Sequence, residues 1–162
     1  LSTKIIKAGS TLDISFTLNG TEISTAVTTE TPLSTLLRDG QGLTGVKIAC
    51  ASGVCGSCTA LINGKPVTTC TAFAYQADGR NITTIEGLNQ NGVPSPVQQA
   101  FMKHSAFQCG YCTPGMILLA TALLAETPKP TREEAIAWMS ANICRCTGYT
   151  LIIDAVMEAS GQ

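Results

Sequence analysis

The sequence predicts an α+β protein in which a small mixed β-sheet comes first and a helical unit follows. Three observations carry that prediction. Apolar residues alternate with period two on both sides of Asn19-Gly20 and flank a second Asn-Gly pair at 63–64. Beyond Gly87 they recur instead at helical spacing. Between the two regimes lies "LNQNGVPSPV", rich in Asn, Gly, Pro and Ser as linkers are.

Each element follows from its own residues. Strands are expected at 12–18 and 21–27, because Asn-Gly supplies the positive φ angles of a tight turn between them. A short helix is expected over 32–39, ended by Gly40. After a cysteine-rich loop, strands at 59–62 and 65–69 form a second hairpin, and "NITTIEGL" adds one more strand. Hairpins with one short helix between them imply a sheet with a helix packed on one face.

In the second half, Val97, Ala100, Phe101, His104 and Phe107 form an apolar stripe over 95–107. The segment 114–125 is apolar nearly all round, so this helix is the buried one. "TPKP" breaks the chain, and Thr131 with Glu134 then opens a helix to about residue 141 as a capping box. A last helix, 151–159, turns Asp154 and Glu158 outward and Ile152, Val156 and Ala159 inward. The expected organisation is a sheet unit at 1–86, a linker at 87–94 and a four-helix unit at 95–162.

Composition excludes some functions. With 44% apolar residues and a net charge of −1, the chain can bury a core and lacks the basic excess of a nucleic-acid binder. Its most apolar run, 116–125, is far short of the roughly 18 residues that suggest a membrane span. No charged and apolar leader opens the sequence as given, so a soluble, cytoplasmic chain is expected.

The eight cysteines fall into two groups. Their density lies below the roughly 8–10% of short disulfide scaffolds, and clustered cysteines cannot cross-link distant parts of a fold. A loop that turns on glycine can instead aim several thiolates at one point. In "CASGVCGSCTALINGKPVTTC", Cys50, Cys55, Cys58 and Cys70 follow C-x4-C-x2-C…C, the plant-type [2Fe–2S] spacing. Such a cluster with its thiolates carries a formal charge of about −2 oxidised and −3 reduced, so it needs close backbone amides. Gly53 and Gly56 let the loop wind tightly enough to provide them. Zinc ribbons prefer two similar C-x2-C knuckles, which this group lacks.

The second group, Cys109 and Cys112 in "QCGYCTPG" with Cys144 and Cys146 in "NICRCTGY", lies at two breaks between helices. Two loops at one end of a bundle can meet, and a [2Fe–2S] cluster takes four thiolates, two on each iron. "CGYC" alone would also suit a dithiol oxidoreductase, but such a motif follows a strand in a βαβ unit, and this one follows a helix.

Both groups, in this order, resemble the iron–sulfur subunit of the molybdenum hydroxylases, the xanthine oxidase and aldehyde oxidase family. The resemblance rests on "LTGVKIAC", "GVCGSCTALINGKPVTTC", "AFQCGYCTPGMI", "PTREEAI" and "NICRCTGY" and covers nearly the whole chain. It implies an N-terminal β-grasp, plant-type ferredoxin-like domain holding a distal cluster on Cys50, Cys55, Cys58 and Cys70. It also implies a helical domain holding a proximal cluster on Cys109, Cys112, Cys144 and Cys146. Gln108 resembles a residue that hydrogen-bonds a pterin, and Cys146 resembles the ligand whose sulfur meets the pterin amino group. Implied partners are a large subunit that binds molybdopterin, in its dinucleotide form, and a medium subunit that binds FAD. The implied function is an electron relay from molybdopterin through the proximal and then the distal cluster to FAD or another acceptor. One departure is Val54, where many relatives carry an acidic residue.

Two other functions stand beside this one: a free two-cluster ferredoxin, and a zinc-stabilised interaction module. No Ser/His/Asp arrangement or phosphate-binding loop occurs, so no catalytic residue is expected in this chain. His104 is expected as a packed, hydrogen-bonded residue, and Trp138 and Met139 as core or interface. Arg145 reads equally as a tuner of the nearby cluster or as a solvated cation. Tyr111 and Tyr149 either line the route to the pterin or pack at an interface.

Overall fold

Asn19 and Asn63 both adopt φ of 50°, with Gly20 at 84° and Gly64 at 78°, so each Asn-Gly pair closes the tight hairpin expected of it. A computed structural model of the chain describes residues 7–89 and 91–161. The first six residues of the expected sheet unit, Gln90 of the expected linker and the last residue lie outside the described residues.

The strands β1 (Thr11–Leu18), β2 (Thr21–Thr28), β3 (Thr59–Ile62), β4 (Lys65–Thr68) and β5 (Asn81–Thr83) form one sheet in the order β2-β1-β5-β3-β4. The strand foreseen in "NITTIEGL" is thus central, parallel to β1 and antiparallel to β3. Ile14, Phe16 and Leu18 of β1 and Ile82 of β5 turn to one face, where they bury against Leu33, Leu36 and Leu37. Those leucines belong to α1 (Leu33–Thr35), whose chain continues as a wider, π-wound turn through Leu36–Gly40. The helix therefore includes Gly40 in its last turn.

A helix on one face only was expected, yet β3 is buried at every position. Ala60 and Ile62 face the α1 core, whereas Leu61 points the other way and packs on Leu118 and Ala122 of the helical half. A strand covered on both faces reads as continuous burial, not alternation.

The helical half contains α2 (Pro96–Lys103), α3 (Thr113–Glu126), α4 (Arg132–Met139) and α5 (Thr150–Ala159). Ser95 caps α2 and accepts from the Gln98 amide, and Thr131 caps α4 with Glu134 as predicted. α2 stops short of the expected residue 107. Ser105 takes φ of 48°, which ends the helix and leaves Phe107 exposed instead of on the apolar stripe. α3 is the central helix, with Met116, Leu118, Leu119, Ala120 and Leu123 all buried. α2 and α5 are clamped by Glu158, which meets Lys103 Nζ at 2.6 Å and His104 Nε2 at 2.5 Å. Among the described residues, no helix is long and apolar enough to cross a membrane.

Candidate metal centres

The first cysteine loop is held from behind. Arg38 of the π-wound turn donates to the carbonyls of Thr44 and Val46, fixing the chain just before the loop. Lys47 N bonds Ser57 O, and Thr69 bonds Cys58 O through both its amide and its hydroxyl. The chain on both sides of Cys70 is tied to α1, since Leu33 N reaches Ala72 O and Ser34 N reaches Thr69 O. Cys50 Sγ accepts from the amides of Ser52 and Cys55, both at 3.4 Å. Hydrogen bonds from Ser52 and Cys55 draw the Cys50 thiol down to about 5. Burial, helped by the neighbouring Cys58 thiol, pushes Cys70 up to about 11. Cys58 is buried, and Cys50, Cys55 and Cys70 are partly so.

In the helical half the two predicted loops do meet. Cys109 and Cys146 bring their sulfurs to 3.7 Å, and both are exposed. Cys112 and Cys144, which pair with each other, are buried. Burial and the Cys144 thiol together hold Cys112 up at about 12. Burial works against ionisation of Cys144 as well, but hydrogen bonds outweigh it and lower that thiol, led by Thr147 Oγ1 at 3.1 Å. The hydrogen bond with Cys109 raises Cys146.

The second group is thus split by burial, with Cys109 and Cys146 together at the surface and Cys112 and Cys144 inside. Among the described residues, no three Cys, His, Asp or Glu side chains form the ligand set of a single ion. A metal would bind the thiolates and release their protons.

The other residues singled out in the sequence fall into place around these sites. Gln108 is exposed, and none of its side-chain hydrogen bonds is to a described residue. Arg145 is exposed between Cys144 and Cys146. Val54 of the first loop is 67% exposed. Trp138 donates from Nε1 to Leu119 O, and Met139 is fully buried, so both serve packing. The tyrosines tie the cysteine loops: Tyr111 donates to Ile48 O of the first loop at 2.7 Å, and Tyr149 Oη accepts from the Cys144 amide at 2.8 Å.

Contacts between the halves went unforeseen. Ile143 N donates to Cys55 O at 2.9 Å, joining a residue beside Cys144 to a cysteine of the other group. A Cβ on Gly56 would lie 2.8 Å from Ala141 O, so this glycine serves the approach of the helical half as well as its own φ of 71°. The sequence signal was present in the glycine, but its second cause lies 85 residues away in the chain (141 − 56).

Comparison with known proteins agrees with this geometry. Residues 38–95 match a family described as a 2Fe-2S iron-sulfur cluster binding domain, and residues 84–157 match a [2Fe-2S] binding domain. The chain is 47% identical over 151 residues to the nicotine 6-hydroxylase small subunit of Paenarthrobacter nicotinovorans, covering 93% of this chain and 91% of that one. It is 51% identical over 148 residues to the nicotinate dehydrogenase small FeS subunit of Eubacterium barkeri, covering 91% and 94%. The chain belongs to the iron–sulfur subunits of the molybdenum hydroxylase family. In space, this subunit superimposes on a chain of quinoline 2-oxidoreductase from Pseudomonas putida 86 with a TM-score of 0.89, 47% identity and 93% coverage of both chains.

Membership settles the choice among the three functions. The subunit carries electrons within an oxidoreductase complex through [2Fe–2S] centres, and the free ferredoxin finds no support among the relatives. Its relatives work as members of multi-subunit enzymes, so it has partner subunits. The fold is the predicted pair of ferredoxin-type domains.

Proposed function

We propose that this subunit takes electrons from a molybdopterin-binding large subunit at Cys109, Cys112, Cys144 and Cys146, passes them to Cys50, Cys55, Cys58 and Cys70, and delivers them to FAD on a medium subunit. When bound, the two clusters supply one-electron carriers, and the protein sets their potentials through hydrogen bonds, charge and exposure. The observation that carries the order is the asymmetry of the second site. Cys112 and Cys144 are buried, while Cys109 and Cys146 face outward beside Gln108, whose side chain is exposed. An outward thiol pair with a free amide donor next to it is what a partner-held pterin needs. Gln108 and Cys146 are therefore assigned to pterin contact. The other route faces out at Val54, whose apolar tip suits a packed acceptor surface better than long-range steering by charge. A cytoplasmic location and unit boundaries at 1–86 and 95–162 belong to the same proposal.

The test is isolation of the native complex. Four irons and four labile sulfides per chain, a pterin-bearing large subunit and a flavin-bearing subunit are expected. A chain that purifies alone, or with stoichiometric zinc, overturns the proposal.

A further inference from the structure

Asn142 is the least explained residue of the molecule. It is fully buried, and neither its Nδ2 nor its Oδ1 has a hydrogen-bond partner among the described residues. A buried amide without partners is costly, and an apolar side chain of the same shape would avoid the cost. Yet the surroundings are cut to admit it. A Cβ on Gly56 would lie 2.9 Å from Asn142 Cγ, and a Cβ on Gly115 would lie 2.6 Å from Asn142 Nδ2. Gly115 sits in the first turn of α3, one turn on from Cys112. Two glycines thus make room for one unpaired amide.

Its place in the chain says what it is for. Gly56 lies between Cys55 and Cys58 of the first site, Gly115 follows Cys112 of the second, and Asn142 itself precedes Cys144 by two residues. The amide is set where the first cysteine loop meets the start of α3. The only other buried and unpartnered side-chain atom among the described residues, Thr113 Oγ1, directly follows Cys112 in the chain. An iron–sulfur cluster brings sulfur atoms that accept hydrogen bonds, and donors to them favour the more negative, reduced state.

We propose that the Asn142 amide donates a hydrogen bond to sulfur of a bound cluster, making Asn142 a positioning and tuning residue at the junction of the two electron-carrying sites. The inference rests on the ligand assignments proposed above. It goes beyond them because it names a residue that is neither a ligand nor a pterin contact.

The test uses the loaded protein and two independent readouts. Iron and sulfide analysis first establishes that wild type and Asn142→Leu each hold four irons per chain; a wild type without them refutes the ligand assignments and not the role of Asn142. Redox titration followed by electron paramagnetic resonance should then show a lower midpoint potential for at least one cluster in Asn142→Leu. A tenfold change in the reduced-to-oxidised ratio at fixed potential, about 59 mV for one electron, is expected. In wild type labelled with 15N in asparagine side chains, electron–nuclear double resonance of the reduced clusters should detect the amide nitrogen, which requires no variant to fold. Unchanged potentials in Asn142→Leu, whether its stability rises as for a simple orphan or falls as for a lost buried water, overturn the proposal. So does the absence of a 15N coupling in the wild type.

Discussion

The two cysteine sites solve one problem with different materials. In the first, a single loop supplies Cys50, Cys55 and Cys58, and the hairpin β3–β4 brings Cys70 back to it. The sheet, α1 and Thr69 brace that loop, so this site is built locally. In the second, two loops far apart in sequence must meet, and the packing of α3, α4 and α5 decides whether they do. The consequence is a difference in exposure: the second site keeps Cys112 and Cys144 inside and turns Cys109 and Cys146 out. A site assembled from helix ends can present half of itself to a partner, whereas the loop wound on the sheet leaves Cys50, Cys55 and Cys70 each partly covered and turns no thiol fully outward.

The largest expected effect separates the sites outright. Cys144→Ala removes a buried thiol of the second pair and should cost that site its cluster, lowering the iron count from four to two per chain while the resonance signal of the plant-type cluster persists. Cys58→Ala should do the reverse. Loss of both signals from Cys144→Ala would mean that the two sites do not assemble independently, and the comparison would fail.

Next in size is the joint between the halves. Gly56→Ala would force a methyl group to 2.8 Å from Ala141 O and place alanine at φ of 71°. The backbone alone costs about 1–2 kcal/mol in that left-handed region, before the collision is counted. The thermal midpoint should fall, and amide exchange at Ile143, whose hydrogen bond to Cys55 O crosses the joint, should accelerate. Unchanged exchange at Ile143 would show that the loops are held together by something other than this contact.

The hairpins, the cap of α4 and both thiol groups were written in the sequence because each rests on local chemistry: Asn-Gly turns, the Thr131 to Glu134 box, and cysteine spacing. What escaped was set by distant packing. The early end of α2 follows from the left-handed Ser105, a residue whose type gives no warning of that conformation. The burial of Leu61 against Leu118 needed the docking of α3 on the sheet, which no period in "TALI" announces. Tyr111 and Tyr149, for which the sequence leaves open a route to the pterin or packing at an interface, also bind backbone groups of the loops, which no local pattern announces. Asn142 passed unnoticed because only burial, not sequence, reveals an amide without partners.

A smaller effect concerns the clamp that closes the helical half. Lys103 and then His104 hold the Glu158 carboxyl below its ordinary value. A carboxylate depressed on folding contributes stability that is present above its unfolded value, about 4.3, and is lost as pH falls through the lower folded value. Glu158→Gln should therefore have a lower thermal midpoint than wild type at pH 7, and the gap should close below about pH 4. A gap that persists unchanged at pH 3 would show that shape, not charge, holds α2 to α5. Because the clamp is partly solvated, it should respond to salt as well.

The smallest effect on the isolated subunit is also the sharpest statement of the difference between the sites. Gln108 is exposed and precedes Cys109, and the described residues receive no hydrogen bond from its side chain. Surface residues without such partners change stability by less than about 0.5 kcal/mol when replaced, so Gln108→Ala should leave the thermal midpoint and both cluster signals of the subunit unchanged. In the assembled complex the same change removes a donor from the proposed pterin contact. A buried acceptor left without its donor costs about 1–3 kcal/mol, which displaces or loosens the pterin and slows reduction of the nearer cluster by substrate. Dithionite reaches the clusters without passing through the partner and should reduce them at the wild-type rate. Rapid mixing with each reductant distinguishes the outcomes. Slowing with substrate alone places Gln108 at the subunit boundary, and equal slowing with both reductants assigns its effect to the cluster site itself, removing the reason for treating the second site as the one that faces the partner.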